Sequence, residues 1–187
     1  GNSRKIKNYL QLSNKLFIVH NSKNENRLGY FKTELIKPIS PLYFNDKKRT
    51  CALTSLCYIL NILLPDSQPN KNIYKSFNDF IETINMENWI LLYIFFELSL
   101  IKDLGYDPNL DKFSFNENSS DLKKIKIDSF TYEIPTFLIS KKIPNTLSGY
   151  SIKKSLYFTR NIIQNRFFIP NNLTFPKSRI LLETYFN

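Results

Sequence analysis

The chain is predicted to be an α+β protein: a β-structured start, then a helical domain interrupted by a small β insertion. Three observations predict this. Lys15 to His20 is a β-branched and aromatic run of the kind strands use. From Asp46 onward, Cys51, Leu53, Leu56, Cys57, Leu60, Leu63 and Leu64 fall at helical spacing. Further on, Lys124-Ile125-Lys126-Ile127-Asp128 alternates strictly, as a half-buried strand does.

The elements follow in order. Residues 1 to about 40 read as β-structure. The polar run Asn21 to Arg27 is a turn, and Leu28 to Ile36 pairs back on Lys15–His20 as a hairpin. Pro38 and Pro41 break the second strand and mark a domain boundary. The first helix ends at Pro65. A second amphipathic segment carries Ile73, Phe77, Phe80, Ile81 and Ile84. A third, Trp89 to Leu104, is apolar on most faces and reads as the central buried helix. Its Glu97 is expected to be a buried or half-buried carboxylate with partners, because an unpaired buried charge is costly. Residues 106 to about 145 break the helical pattern, and Phe130 to Ile134 returns as the partner of the alternating strand. Ser148 is a candidate N-cap for a helix over 148–168, with Ile152, Leu156, Ile163 and Phe167 inward. Pro170 breaks it, and Pro176 opens a last short helix, Lys177 to Phe186.

Composition bounds the function. A length of 187 residues suits one or two small domains with a real core. Only four glycines argue against a repeat or low-complexity chain. The net charge of +10 and a pI near 9.5 suit a surface for polyanions. A chain rich in Lys, Asn, Ile, Phe and Tyr also arises from AT-rich codons, with no ligand involved. Cys51 and Cys57 form no C-x-x-C pair and read as small core residues in a reducing compartment. The polar, basic start is unlike a signal peptide, and the longest apolar run, Trp89 to Ile101, is too short to span a bilayer. A soluble cytoplasmic protein is expected.

No catalytic constellation stands out. His20, the single histidine, has no Cys, Ser or Asp neighbour suggesting a triad or metal site. No G-x-x-x-x-G-K-[ST] or G-x-G-x-x-G occurs, and the carboxylates are scattered, which disfavours a nucleotide hydrolase or metal-dependent nuclease. Cations are more organised. The first 37 residues hold Arg4, Lys5, Lys7, Lys15, Lys23, Arg27, Lys32 and Lys37 against only Glu25 and Glu34. Lys47-Lys48-Arg49 opens the first helix, where cations oppose the helix dipole and hint at an external anion.

The most specific stretch is Phe96-Glu97-Leu98-Ser99-Leu100-Ile101-Lys102-Asp103-Leu104-Gly105-Tyr106-Asp107-Pro108-Asn109-Leu110. Its apolar helix stops at a C′ glycine, and Pro108 blocks resumption. It resembles the central FELxLLxxLGYxPxL signature of the RecO family of bacterial recombination mediators. Gly1-Asn2-Ser3-Arg4-Lys5 with Leu10-Gln11, Leu28-Gly29 with Thr33-Glu34-Leu35, Thr159-Arg160, and Pro176-Lys177-Ser178-Arg179 resemble further family segments in the same order.

The resemblance implies a partial, N-terminally truncated OB-fold over 1–40 and a helical C-terminal domain over 41–187. Residues 106–145 then stand where many relatives insert a zinc-ribbon-like module. The family's cysteines would begin near Phe113, but Phe113, Ser114, Phe115 and Asn116 offer no ligand and no Cys follows Cys57, so no zinc or other cofactor is expected. Phe113, Phe115 and Phe130 would fill the insertion with a small apolar core. The implied function is non-enzymatic: binding single- and double-stranded DNA, annealing strands, and with RecR assisting RecA loading on DNA coated by single-stranded DNA-binding protein (SSB). An OB barrel uses a basic groove with aromatic platforms. The DNA-binding candidates are Arg4, Lys5, Lys7, Lys15, Lys23, Arg27, Lys47, Lys48 and Arg49, with Tyr9 and Phe17 offering rings. For the acidic, apolar SSB tail, the rim candidates are Lys153, Lys154, Arg160, Arg166, Lys177 and Arg179, while Ile94 and Phe95 replace arginines that some relatives carry. The rival reading is a helical protein-interaction adaptor whose basic charge is compositional.

Overall fold

The computed structural model describes residues 9–22, 29–113, 122–142, 144 and 147–186. Strands β1 (Lys15–Asn21) and β2 (Tyr30–Lys37) form an antiparallel two-stranded sheet, with Ile18 opposite Thr33 and His20 opposite Phe31. The second strand runs to Lys37, where Pro38, lacking an N–H, ends it. Polar contacts moor the hairpin to the helices. The Asn14 side chain accepts from the N–H groups of Ile39 and Ser40 (2.8 and 3.0 Å), Lys15 donates to Asn78 (2.7 Å), and Lys37 pairs with Glu82 (2.5 Å).

Helix α1 (Lys47–Leu63) starts at a capped aspartate. Asp46 Oδ1 accepts from the Arg49 N–H (3.0 Å), and Oδ2 from the Arg49 guanidinium (2.6 Å). It stops at Leu64, held extended by the proline that follows. Helix α2 (Lys71–Thr83) lays Ile73, Phe80 and Ile81 on α3 (Trp89–Asp103). Helix α3 is the buried centre, as its all-round apolarity predicts: Tyr93, Ile94, Phe96, Glu97, Leu100 and Ile101 are all sealed. It ends in a Schellman motif. The Tyr106 N–H reaches Ile101 O (3.1 Å), the Gly105 N–H reaches Lys102 O (2.9 Å), and Gly105 takes φ +92°, which a side chain would strain.

After the Asp128-Ser129 turn, β3 (Leu122–Ile127) pairs with β4 (Phe130–Pro135). A short helix α4 (Phe137–Ser140), absent from the sequence reading, follows. Helix α5 (Gly149–Ile163) is capped by Ser148, whose Oγ accepts from the Ser151 N–H (3.1 Å). The expected single helix over 148–168 is not uniform. Its last stretch, Gln164–Phe168, is a π turn closed by the Ile169 N–H on Gln164 O, and Pro170 has no N–H to extend either pattern. Helix α6 (Lys177–Thr184) has Pro176 at its N-cap, one position before the expected one. It packs on α1 and α5, and α5 also packs on α3 and β4.

Among the described residues the insertion has no separate aromatic core. Phe130 is 52% exposed, Phe113 packs on the edge of the main core, and Phe115 lies outside the described residues. Ile125, Ile127, Tyr132 and Ile134 face inward instead, and the Tyr132 ring meets Phe158 of α5 edge-on at 5.1 Å. The β3–β4 hairpin thus completes the main core rather than forming one of its own. Cys51 and Cys57 are free thiols, only half-buried, and burial pushes both upward.

One charged cluster is sealed in the core. Arg179 of α6 donates to both oxygens of Glu97 on α3 (Nε 2.6 Å, Nη2 2.8 Å), and both residues are 0% exposed. Nη2 also reaches Leu156 O (2.7 Å), Nη1 reaches Glu183 (3.0 Å), and Thr159 donates to Glu97 (2.5 Å). Burial is the largest single influence on Arg179 and would lower its pKa, but the charge and hydrogen bonds of Glu97, with Tyr93 and Glu183, together outweigh it and raise it. The expectation of a buried, satisfied Glu97 is borne out.

Two predictions follow from these contacts. Arg179→Met should cost about 3–5 kcal/mol in urea unfolding, because Glu97 is stranded. Adding Glu97→Leu should recover part of that loss; a double variant as unstable as the sum of its parts contradicts the pairing. Asp46→Ala should cost about 1 kcal/mol at pH 7. Burial works to raise the Asp46 carboxyl, but the hydrogen bonds and charge of Arg49 hold it below its ordinary 3.8. Its contribution is therefore present above that value and is lost as pH falls through the lower folded value. Wild type and variant should converge in acid, as chemical denaturation at pH 7 and at about pH 3 would show.

Candidate nucleic-acid interface

Both faces of the N-terminal hairpin carry exposed apolar groups. Phe17 is 54% exposed, Ile18 53%, Tyr30 68% and Phe31 67%. Because side chains alternate, Phe17, Val19 and Tyr30 share one face with Lys32 and Glu34, while Ile18, His20 and Phe31 share the other. His20 is solvent-facing, and its ring lies 5.1 Å from that of Phe31. Tyr9 anchors the lead-in, with its hydroxyl on Thr33 O and Oγ1 (both 3.1 Å). Phe17 is thus the more available of the two predicted stacking rings. Arg4, Lys5, Lys7, Lys23 and Arg27 lie outside the described residues.

The other predicted DNA contacts separate by their surroundings. Lys15 is half-buried against Asn78. Lys47 is exposed, and Lys48 lies over the Phe186 ring at 4.8 Å. Arg49 turns inward. It binds Asp46, donates to Ile84 O (2.7 Å) and Met86 O (3.1 Å), and stacks over Trp89 at 5.1 Å. These contacts account for a cation at the positive end of a helix dipole without an external anion, because Asp46 supplies the negative charge.

The predicted tail-binding cations divide similarly. Arg179 is corrected outright: at 0% exposure it holds the core together and rims nothing. Arg160 is drawn to Glu183 (2.7 Å), Lys154 to Glu133 (2.6 Å), and Arg166 to Asp128 while lying over Tyr106 at 4.5 Å. Lys153 and Lys177 are exposed.

None of the six lines the apolar cavity that the structure does show. That cavity, of about 390 Å³, lies where the end of α3 meets the following loop and α4. Phe95, Leu98, Pro108, Leu110 and Leu138 form its wall, and Lys102 and Lys141 stand at its rim. Each lysine is held by an aspartate, Lys102 by Asp107 (3.0 Å) and Lys141 by Asp111 (2.9 Å). Hydrogen bonding from the Asn109 N–H and from Lys102 holds the Asp107 carboxyl below its usual range. Sequence reasoning missed this site. The signal was present in Pro108, read only as blocking the helix, and in Leu110, read only as part of the family signature, although both also wall a pocket.

The described residues thus form a helical domain with two small antiparallel sheets that carries basic and aromatic surfaces. No group of three potential metal-ligating side chains occurs among the described residues, and no helix there is long and apolar enough to cross a membrane. Comparison with known proteins narrows this. The family described as Recombination protein O C terminal matches residues 45–165. The DNA repair protein RecO of Wolbachia sp. subsp. Drosophila simulans (strain wRi) is 27% identical over 191 aligned positions, covering 92% of this chain and 80% of that protein. The RecO protein of Ehrlichia chaffeensis is 30% identical over 122 positions, 64% of this chain and 50% of its own length. That of Rickettsia felis is 23% identical over 199 positions, 99% of this chain and 83% of its own. No solved structure matches. The chain belongs to the RecO family, and so to DNA repair and recombination.

Proposed function

We propose that this chain is a non-catalytic recombination mediator. It binds single- and double-stranded DNA, brings complementary strands together, and with RecR assists RecA loading on SSB-coated strands. Family membership carries this reading, and the net charge of +10 supports it. Its mechanism is electrostatic: lysines and arginines that neutralise phosphates release counterions and reduce the repulsion between two strands, so that bases can meet. The N-terminal hairpin acts as part of an OB-fold, with Phe17 as a platform and Arg4, Lys5 and Lys7 on the backbone. No metal or other cofactor takes part, and the work is done in the bacterial cytoplasm at the nucleoid.

The SSB tail belongs in the apolar cavity at the end of α3 rather than against the cations of α5. A short acidic, apolar peptide needs a hydrophobic wall for its side chains and cations for its carboxylates. Leu98 and Phe95 supply the wall, and Lys102 and Lys141 supply the cations. Asp107 and Asp111 keep those lysines at the rim until a peptide carboxylate exchanges with them. The adaptor reading is favoured by a different observation: Lys15, Arg49, Lys154, Arg160, Arg166 and Arg179 all have partners within the chain.

Salt dependence separates the two readings. Binding of a labelled single strand should weaken steeply with salt, and changing Arg4, Lys5 and Lys7 together to Ala should lower the log–log slope by about 2. Salt-insensitive or absent binding favours the adaptor. For the cavity, Leu98→Asp should abolish binding of a labelled SSB C-terminal peptide, and Lys102→Ala with Lys141→Ala should weaken it about tenfold. Unchanged affinity in the Leu98→Asp variant removes the peptide from this cavity.

A further inference from the structure

Between Glu133 and Glu183 the chain contains no acidic residue, and α5 lies wholly inside this interval. One face of α5 is buried through Ile152, Leu156, Phe158 and Thr159. The other presents Tyr150, Lys153, Lys154, Tyr157 and Arg160, spaced by three, four and seven residues and therefore aligned along one side of the helix. Tyr150 is 51% exposed and Tyr157 49%. A cation flanks each ring: Lys154 Nζ lies 5.2 Å from the Tyr150 centroid, and the Arg160 guanidinium 5.1 Å from that of Tyr157. The result is an alternating ladder of ring and cation.

The β3–β4 hairpin widens this surface. Lys124 and Lys126 point to its outer side, opposite Glu133 and Thr131, while Ile125 and Ile127 point to the core. Glu133 bonds Lys154 of α5 (2.6 Å) and also feels the charge of Lys124, so hairpin and ladder are adjacent. Glu183 engages Arg160, but it shares that carboxylate with the buried Arg179, whose own partner is Glu97. Among the described residues, Lys124 and Lys154 both meet Glu133 on this surface, and Lys126 stands exposed beside them opposite Thr131.

We propose that the outer face of α5 and the β3–β4 hairpin form a second track for a single nucleic-acid strand, apart from the N-terminal hairpin. Tyr150 and Tyr157 stack bases on the ring faces away from their cations, and Lys124, Lys126 and Lys153 take phosphates. Two rings seven residues apart on a helix are separated by about 10.5 Å along its axis, close to three nucleotides at about 3.4 Å each. A purely solvated charged face would have no use for two half-exposed tyrosines between the cations, whereas stacking of bases on rings beside a basic groove requires both. This inference rests on the DNA-binding reading and adds to it a place where a second strand can lie while the first is held elsewhere.

The test uses the full chain with labelled oligo-dT and, as an anion without bases, a labelled heparin oligosaccharide. Tyr150→Ala with Tyr157→Ala should weaken oligo-dT binding at least fivefold per ring and leave heparin binding unchanged. Lys124→Gln with Lys126→Gln should weaken both ligands and lower the salt slope for oligo-dT by about 1.4. Lys154 and Arg160 are left intact because they hold Glu133 and Glu183, and matching thermal melts check the folds. Wild-type affinity for oligo-dT in the tyrosine variant overturns the stacking ladder, and an unchanged salt slope in the lysine variant removes the hairpin from the track. A wild-type chain that binds no oligo-dT at all overturns the DNA-binding reading itself, and the track with it.

Discussion

The pair of Arg179 and Glu97 is the constraint around which the helical domain closes. Neither charge can be left alone in a core where both are 0% exposed. Satisfying them calls on Thr159 and the Leu156 carbonyl from α5 and on Glu183 from α6, so the final helix, the central helix and α5 must all be in place together. The partners are 82 residues apart in sequence. A contact of that range carries a large loop-closure cost and rewards only the complete arrangement. Hydrophobic burial supplies most of the stability, but it is tolerant of small rotations of a helix. The bidentate geometry of guanidinium on carboxylate is not, and it sets how α6 is turned against α3.

The same network changes what the net charge means. Much of the basic content that suggests a polyanion surface is engaged inside the molecule or against its own carboxylates. Arg49 ties the start of α1 to the chain between α2 and α3, and Arg166 ties the π turn to the β3–β4 turn through Asp128 and Tyr106. What remains outward is uneven. It gathers on the hairpins and on the outer side of α5, a helix that contributes no acidic residue of its own. Charge on a protein surface acts through this local imbalance rather than through its total.

The cavity at the end of α3 shows how one segment serves two purposes. Gly105 has to take a positive φ for the Schellman motif to form, and Pro108 prevents the helix from continuing. The chain that turns there brings Pro108 and Leu110 back beside Leu98, and with α4 they wall a pocket. Helix termination and pocket formation thus share the same residues, although only the first has a local signature.

Much of the fold was legible in the sequence because it rests on local rules. The period of apolar residues marked the four long helices, Ser148 marked a cap, and alternation marked β3. Glu97 was legible as a partnered carboxylate because a charge in an all-apolar helix has to be paired. Its partner was not legible. Arg179 sits in a short, ordinary-looking helix, and nothing local distinguishes a buried arginine from one that rims a surface. For the same reason the candidate surfaces were legible in residue type and misplaced in role: Arg49 and Arg160 read as ligands and serve mainly as struts, Phe130 read as core and lies exposed, and the apolar cavity went unread. The sequence by itself determined the long elements, their order and the family, since these depend on spacing along one chain. Only the tertiary structure decided which cations face water and which close the core, since that depends on carboxylates, carbonyls and rings contributed by distant segments.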